Sequence, residues 1–365
     1  MRREGGSHEV SMLYKNFLSC DAPKKLRTQQ ERPNLYIVGA PKSGTTALAN
    51  YLAAHPDIYM AKKEMHFFGA DLRFGRQFYR RKLDAYQAEF AARYGRRWAG
   101  EASVWYLFST TAATEIRDFN PQSRAIIILR EPVEMLHSLY CQFYFDGNEC
   151  EPTFAAALAA EGERREGQRL GRRTYFAQGL MYRQVARYAE QVQRYFHILG
   201  RRQVLVLLYD DFAADPAATY RRTLDFLELD SPVVEPEFKI VNPAKCARSS
   251  LLRTVLSEPW VRGTAIALRR WLPARTFSAL QRAEMRLLNF NARVVPRPAL
   301  PPDLRARLRH EFAPEVQRLS DLLERDLGSW TSPQPADSNP RPAVPHYNDS
   351  PCPQTPQPLD APALA

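Results

Sequence analysis

No stretch of this 365-residue chain is apolar for long enough to cross a bilayer, and the opening Met1-Arg2-Arg3-Glu4-Gly5-Gly6 leads into no apolar segment of the export type. A soluble, cytoplasmic protein is the expectation. Cysteine is sparse as well. Cys20, Cys141, Cys150, Cys246 and Cys352 make an odd count with no C-x-x-C pair, which offers no disulfide framework and suits a reducing compartment. Acidic residues fall short of basic ones, 40 against 51, so the formal net charge is +11 and the pI about 9.5. That balance favours anionic partners: nucleic acid, an acidic membrane surface, a polyphosphorylated nucleotide or an acidic glycan. Much of the charge is arginine spread along helical stretches, which is the pattern of a solvated face more than of a binding stripe.

The stretch that organises the chain is Asn34 to Tyr51. Leu35-Tyr36-Ile37-Val38 is short, apolar and partly β-branched, as a buried parallel strand is, and it ends in Gly39-Ala40-Pro41-Lys42-Ser43-Gly44-Thr45-Thr46. Ala47, Leu48, Tyr51 and Leu52 then recur at helical spacing until His55-Pro56. The loop is therefore a strand-to-helix turn, whose free backbone N–H groups and positive dipole end suit phosphate oxygens. Gly44 permits close backbone approach, Lys42 adds a point charge, and Thr45 and Thr46 add hydroxyl donors. A Walker A loop needs Gly-Lys-[Ser/Thr]; here Thr45 follows Gly44 and the lysine lies two residues before it, so nucleoside triphosphate hydrolysis is the poorer reading.

Further on, Ile58-Tyr59-Met60 reads as a short strand before Lys62-Lys63-Glu64-Met65-His66-Phe67-Phe68-Gly69. An acid and an imidazole beside two aromatics fit a site lip, but taken alone the segment reads better as an ordinary amphipathic loop, because Glu next to Lys is common on surfaces. A helix is predicted from Phe74 to Arg97 through Phe78, Leu83, Tyr86, Phe90 and Tyr94, then a strand from Trp98 towards Tyr106 and a helix over 110–119. Ala125-Ile126-Ile127-Ile128-Leu129 is apolar throughout, as a strand buried on both faces must be, and Arg130-Glu131-Pro132 follows at its end, with Pro132 suited to the first turn of a helix. That helix carries Val133, Leu136, His137 and Tyr140 on one face, with Ser138 one position round. Residues 147–174 read as flexible apart from a short helix at Phe154–Ala160, and Tyr182 to Phe196 as one long amphipathic helix. A last buried strand covers Val204 to Tyr209, and Asp215-Pro216 opens another helix. Residues 250–300 read as basic and helical, with Trp260, Trp271 and Phe277, and closing helices run over 303–330 with Pro314 at a helix start. Alternating strands and helices give an α/β fold, a doubly wound and mainly parallel sheet with helices on both faces. The expected organisation is an N-terminal extension, 1–33, one domain, 34–330, and a Pro-rich disordered tail, 331–365.

Three motifs fall at carboxyl ends of the predicted strands, and together they resemble one family. Pro41-Lys42-Ser43-Gly44-Thr45-Thr46 is similar to the 5′-phosphosulfate loop of sulfotransferases that use 3′-phosphoadenosine 5′-phosphosulfate (PAPS). Lys63-Glu64-Met65-His66-Phe67-Phe68 resembles the Lys-Glu-x-His-Phe-Phe segment of the heparan-type and related bacterial enzymes, and Arg130-Glu131-Pro132 with Ser138 resembles the family's 3′-phosphate signature. The resemblance implies that Lys42 holds the bridging oxygen of the leaving nucleotide, that Ser43, Gly44, Thr45 and Thr46 cradle the phosphosulfate, and that Arg130 and Ser138 bind the 3′-phosphate. It implies Glu64 as general base with His66 beside it, although related cytosolic enzymes use a histidine. It also implies 3′,5′-ADP as product, no metal, and a hydroxyl-bearing acceptor on a glycan or glycolipid in place of nucleic acid. The sequence departs from the heparan pattern at Ala102 and Val104, where relatives carry Lys and Pro, and at Met135, where many carry Arg. A P-loop-type kinase or NTPase, and a non-catalytic nucleotide- or polyanion-binding protein, are the competing readings.

Overall fold

The computed structural model describes residues 32–61, 64–75, 82–93, 95–230, 236–238 and 298–332, with two three-residue strands at 245–247 and 292–294. Five strands form one parallel sheet: β1 Leu35–Gly39, β2 Ile58–Met60, β3 Trp98–Ala102, β4 Arg124–Leu129 and β5 Val204–Leu208, in the spatial order β2-β3-β1-β4-β5. Side chains alternate between the two faces, and each face carries its own core. Leu35, Ile37, Ile126, Ile128, Leu205 and Leu207 pack with the helices α1 Thr45–Ala53, α9 Tyr209–Ala214 and α10 Pro216–Leu227. Tyr36, Val38, Ala125, Ile127 and Leu129 pack on the other side, with α3 Ala112–Phe119, α4 Pro132–Asp146, α8 Tyr188–Leu199 and α11 Pro302–Leu323. The doubly wound α/β fold expected from the sequence is the fold the chain adopts.

From β1 the chain moves to β2 and β3 on one side, then crosses to β4 and β5 on the other. The strand order therefore reverses between β1 and β4, and open α/β sheets bind ligands in the crevice beyond such a switch point. The phosphate-type loop and Arg130 emerge there. Gly39 ends β1 beneath residues 104–107. A Cβ at this position would lie 2.6 Å from Leu107 Cβ and 2.8 Å from the Val104 carbonyl oxygen, and the Leu107 N–H is tied to the Val38 carbonyl at 2.8 Å, so the covering segment is held in place. Gly39→Ala should cost about 1–3 kcal/mol through overpacking. Urea unfolding should show a lower midpoint with an unchanged slope; a variant as stable as the parent would mean that residues 104–107 yield without cost.

Several local expectations are corrected. The helix expected over 74–97 is a short helix, α2 Leu83–Ala88, and a 3₁₀ turn, Ala91–Arg93, because Phe74 packs elsewhere, on Phe176 at 4.4 Å; Phe78 and Tyr94 lie outside the described residues. The strand from Trp98 ends at Ala102, and the last strand ends at Leu208, with Tyr209 opening α9. Residues 147–174 are not loose. They hold α5 Phe154–Ala159 and α6 Glu161–Arg165, fastened by a buried Arg164–Glu149 pair at 2.6 Å, with the Tyr182 hydroxyl donating to the same carboxylate at 2.8 Å. Charged composition reads as surface until a partner takes it inside. The long helix over 182–196 is broken into α7 Tyr182–Val185 and α8. The break is satisfied from a distance: Gln191 Nε2 donates to the Gln184 and Val185 carbonyls, and the Glu315 carboxylate receives the Ala189 N–H at 2.8 Å. Pro314 begins no helix. It lies inside α11 on the exposed side and lacks the N–H that would bond to the His310 carbonyl, His310 being exposed as well. Ala292–Val294 is a strand, paired antiparallel with Lys245–Ala247, within the stretch read as helical; Trp260, Trp271 and Phe277 lie outside the described residues. No helix among the described residues is long and apolar enough to cross a membrane. Arg32 and Pro33 dock against the domain, Arg32 Nη1 donating to the Phe119 carbonyl at 2.6 Å and the Pro33 carbonyl accepting from Asn120 Nδ2 at 3.1 Å.

Candidate active site

Gly44 is the N-cap of α1, with φ of 88° and no side chain of its own to cap the first turn, so the helix presents its amino end to the crevice. A side chain at Gly44 would be strained by the positive φ and would press on α9, since a Cβ would lie 3.0 Å from two ring carbons of Phe212. Lys42 also has positive φ, 61°. Its ammonium donates to Gln142 Oε1 at 2.6 Å, on α4 one turn beyond Ser138, so the lysine reaches along the helix face that carries the buried Ser138. Ser43 is buried and its hydroxyl donates to the Pro41 carbonyl at 3.3 Å.

Arg130, at the end of β4, is held from three directions. Its guanidinium lies 4.6 Å from the centre of the Tyr209 ring, Nη1 donates to the Lys42 carbonyl at 3.3 Å, and Nη2 stands 3.7 Å from the Glu134 carboxylate. Glu134 is in turn paired with Arg305 of α11 at 3.0 Å. The neighbouring Glu131 accepts the Glu134 N–H and so caps α4; burial pushes its carboxyl up, against that N–H and the Arg309 guanidinium. The structure thus joins the loop, Arg130 and the Ser138 face of α4 at the switch point.

Glu64 and His66 stand on the opposite lip. Lys63 lies outside the described residues. Glu64 Oε2 is 3.0 Å from His66 Nε2, and His66 takes a left-handed backbone, φ 47°, so the two meet across a kink in the segment. The His66 ring lies 4.5 Å from Phe74, which stacks on Phe176. Tyr175 closes the lip: burial, then the Asp146 and Glu64 carboxylates, push its phenol up. Asp146 accepts from Gln142, the partner of Lys42, at 3.3 Å. Ala102 and Met135 are packed in the core, so neither position turns a charge towards the crevice.

Sequence reasoning missed Gln142, Tyr209, Phe212 and Tyr175, none of which belongs to a spaced motif. For Tyr209 a signal existed, since it directly follows the carboxyl end of a buried strand. α9, which carries Tyr209 and Phe212, is fastened from the far end of the domain: Arg325 grips Asp211 through two bonds of 2.7 Å, and Trp330 Nε1 donates to Asp210 at 2.7 Å.

The sulfotransferase family profile matches residues 33–232, more than half of the chain. The crystal structure of a sulfotransferase from Alicyclobacillus acidocaldarius superposes on 82% of this chain and 99% of its own, with 31% identity and a TM-score of 0.60. Human heparan sulfate glucosamine 3-O-sulfotransferase 5 is 31% identical over 113 residues, 31% of either chain. Rat carbohydrate sulfotransferase 15 is 25% identical over 250 residues, covering 54% of this chain and 44% of that one. The chain spans less than half the length of either of these two curated relatives. It belongs to the sulfotransferase family.

Proposed function

We propose that this protein transfers the sulfuryl group of PAPS to an acceptor hydroxyl, with Glu64 as general base. The observation that carries the reading is the Arg130 bond to the Lys42 carbonyl, which puts the two phosphate-type motifs in one crevice. The residues present fit the donor: a helix N-terminus opened by Gly44, a lysine beside it, and a guanidinium fork fixed on an aromatic face. Lys42, Ser43, Gly44, Thr45 and Thr46 would hold the phosphosulfate, and Arg130 with Ser138 the 3′-phosphate. PAPS supplies the sulfuryl group when bound and departs as 3′,5′-ADP. Lys42 and the helix N-terminus stabilise the charge that develops on the leaving side, and Glu64 takes the acceptor's hydroxyl proton as its oxygen attacks sulfur.

The acceptor we propose is a carbohydrate or glycolipid. The names of the two curated relatives support it, and Tyr175, part-exposed and near Glu64, offers an aromatic ring that suits the apolar face of a sugar. Thermal unfolding tests the donor. 3′,5′-ADP should raise the melting temperature well above any effect of ADP or of ATP with magnesium, because only it carries a 3′-phosphate. Equal shifts, or a preference for magnesium and ATP, would favour a P-loop-type kinase. Labelled PAPS offered with glycans, glycolipids and phenols tests the acceptor, and a product formed only with phenols would overturn the carbohydrate reading.

A further inference from the structure

We propose that Glu101 is a positioning residue for the reaction, its buried carboxylate fixing Glu64 and His66 through the hydroxyls of Ser103 and Tyr106. This inference rests on the reading of the Glu64 lip as the place of chemistry.

Residues 65–70 belong to no helix or strand, so their backbone N–H groups have no ladder to join. All six are nevertheless received, two at a time, by side chains. Ser103 Oγ accepts from Met65 and His66 at 3.0 and 3.2 Å, Tyr106 Oη from Phe67 and Phe68 at 2.8 and 3.2 Å, and the Glu115 carboxylate from Gly69 and Ala70, both at 2.9 Å. A hydroxyl that accepts twice has both lone pairs occupied, and its single proton must find an acceptor elsewhere. For Ser103 and Tyr106 that acceptor is Glu101, at 2.7 Å and 3.1 Å. Tyr86 adds a third hydroxyl to the same carboxylate at 2.6 Å, and its ring stacks on Phe67 at 4.0 Å.

Glu101 is fully buried at the end of β3 and never reaches the crevice, so it touches neither donor nor acceptor. Burial pushes its carboxyl up, while the three hydroxyls and the nearby His66 oppose the rise. Its contribution is directional. An ionised carboxylate is an acceptor only, which forces both hydroxyl protons inward and both pairs of lone pairs outward, onto the amides on either side of the left-handed kink at His66. A glutamine there would present N–H to one of the two hydroxyls, occupying a lone pair that now receives an amide and releasing at least one of that arm's two N–H groups.

The test needs no identified acceptor, because water can stand in for it. Its oxygen bonds to sulfur as the bond from sulfur to the departing 3′,5′-ADP oxygen breaks, and its proton passes to Glu64, giving sulfate and 3′,5′-ADP. Single-turnover release of 3′,5′-ADP from PAPS, the dissociation constant of 3′,5′-ADP, and amide exchange at residues 65–68 are measured in the full chain for Ser103→Ala, Ser103→Thr, Tyr106→Phe and Glu101→Gln. Ser103→Ala should speed exchange at Met65 and His66 by roughly tenfold to a hundredfold, the loss expected for a buried hydrogen bond. It should slow release by roughly tenfold or more while 3′,5′-ADP affinity stays within about twofold, since misplacing a reacting group acts on the chemical step alone. Ser103→Thr, which keeps the hydroxyl, should restore both, and Tyr106→Phe should move exchange at Phe67 and Phe68 instead. If Glu101→Gln fails to fold, the Ser103 pair decides. Unchanged exchange in Ser103→Ala, or faster exchange with an unchanged release rate, overturns the inference. Glu64→Gln is run alongside: normal release there refutes Glu64 as base, and the Ser103 result still decides whether the segment is positioned for chemistry through His66.

Discussion

Replacing Glu64 by Gln should lower kcat by roughly 10²–10⁴, the usual worth of general-base assistance, and leave 3′,5′-ADP affinity as it was. The geometry favours Glu64 over its neighbour. The two side chains touch at 3.0 Å, but Glu64 is 26% exposed and His66 only 10%, so the carboxylate is the member that faces an incoming hydroxyl. His66 is backed by Phe74 and orients the carboxylate. His66→Ala should therefore lose less than Glu64→Gln. If His66→Ala is the more damaging in kcat with nucleotide binding intact in both, the roles exchange; if neither matters, Glu64 is a surface acid.

Arg130→Ala should weaken 3′,5′-ADP binding by roughly one to two orders of magnitude, corresponding to about 1.5–3 kcal/mol for a charged hydrogen-bonded contact. AMP, without a 3′-phosphate, should bind almost as before. The guanidinium is already held by Tyr209, the Lys42 carbonyl and Glu134, so little freedom is lost when a phosphate arrives. Calorimetric titration with both nucleotides separates this from a scaffold effect. An equal loss for 3′,5′-ADP and AMP would make Arg130 a brace for the Lys42 loop and nothing more.

The parts of the molecule legible in the sequence are those whose partners are local or generic. β1 and β4 declared themselves because a strand covered on both faces has to be apolar throughout, and the turn at Gly44 because a positive φ needs glycine. What stayed hidden depends on residues far apart in the chain. Ala186-Arg187 contains no helix breaker, and the break there is stabilised by Glu315, 126 residues away. Arg164 and Glu149 read as solvated charges because nothing local says that each is the other's counter-ion inside the protein. The Glu101 to Tyr106 run stood out in the sequence for its departure at Ala102, yet the working residues are its neighbours Ser103 and Tyr106, whose amide partners lie nearly forty positions earlier.

The fastening of α9 by Arg325 and Trp330 sets an order of events during synthesis. The loop at Lys42 and β4 with Arg130 are made before α9, and Arg325 and Trp330 after it. Tyr209 and Phe212, which lie over that loop and Arg130, gain their last fastening when Arg325 and Trp330 hold Asp211 and Asp210. Because translation proceeds at roughly 5–20 residues per second, the last strand of the sheet is made several seconds or more before these two anchors. The turn that fastens α9 is thus made long after the loop that α9 helps to cover.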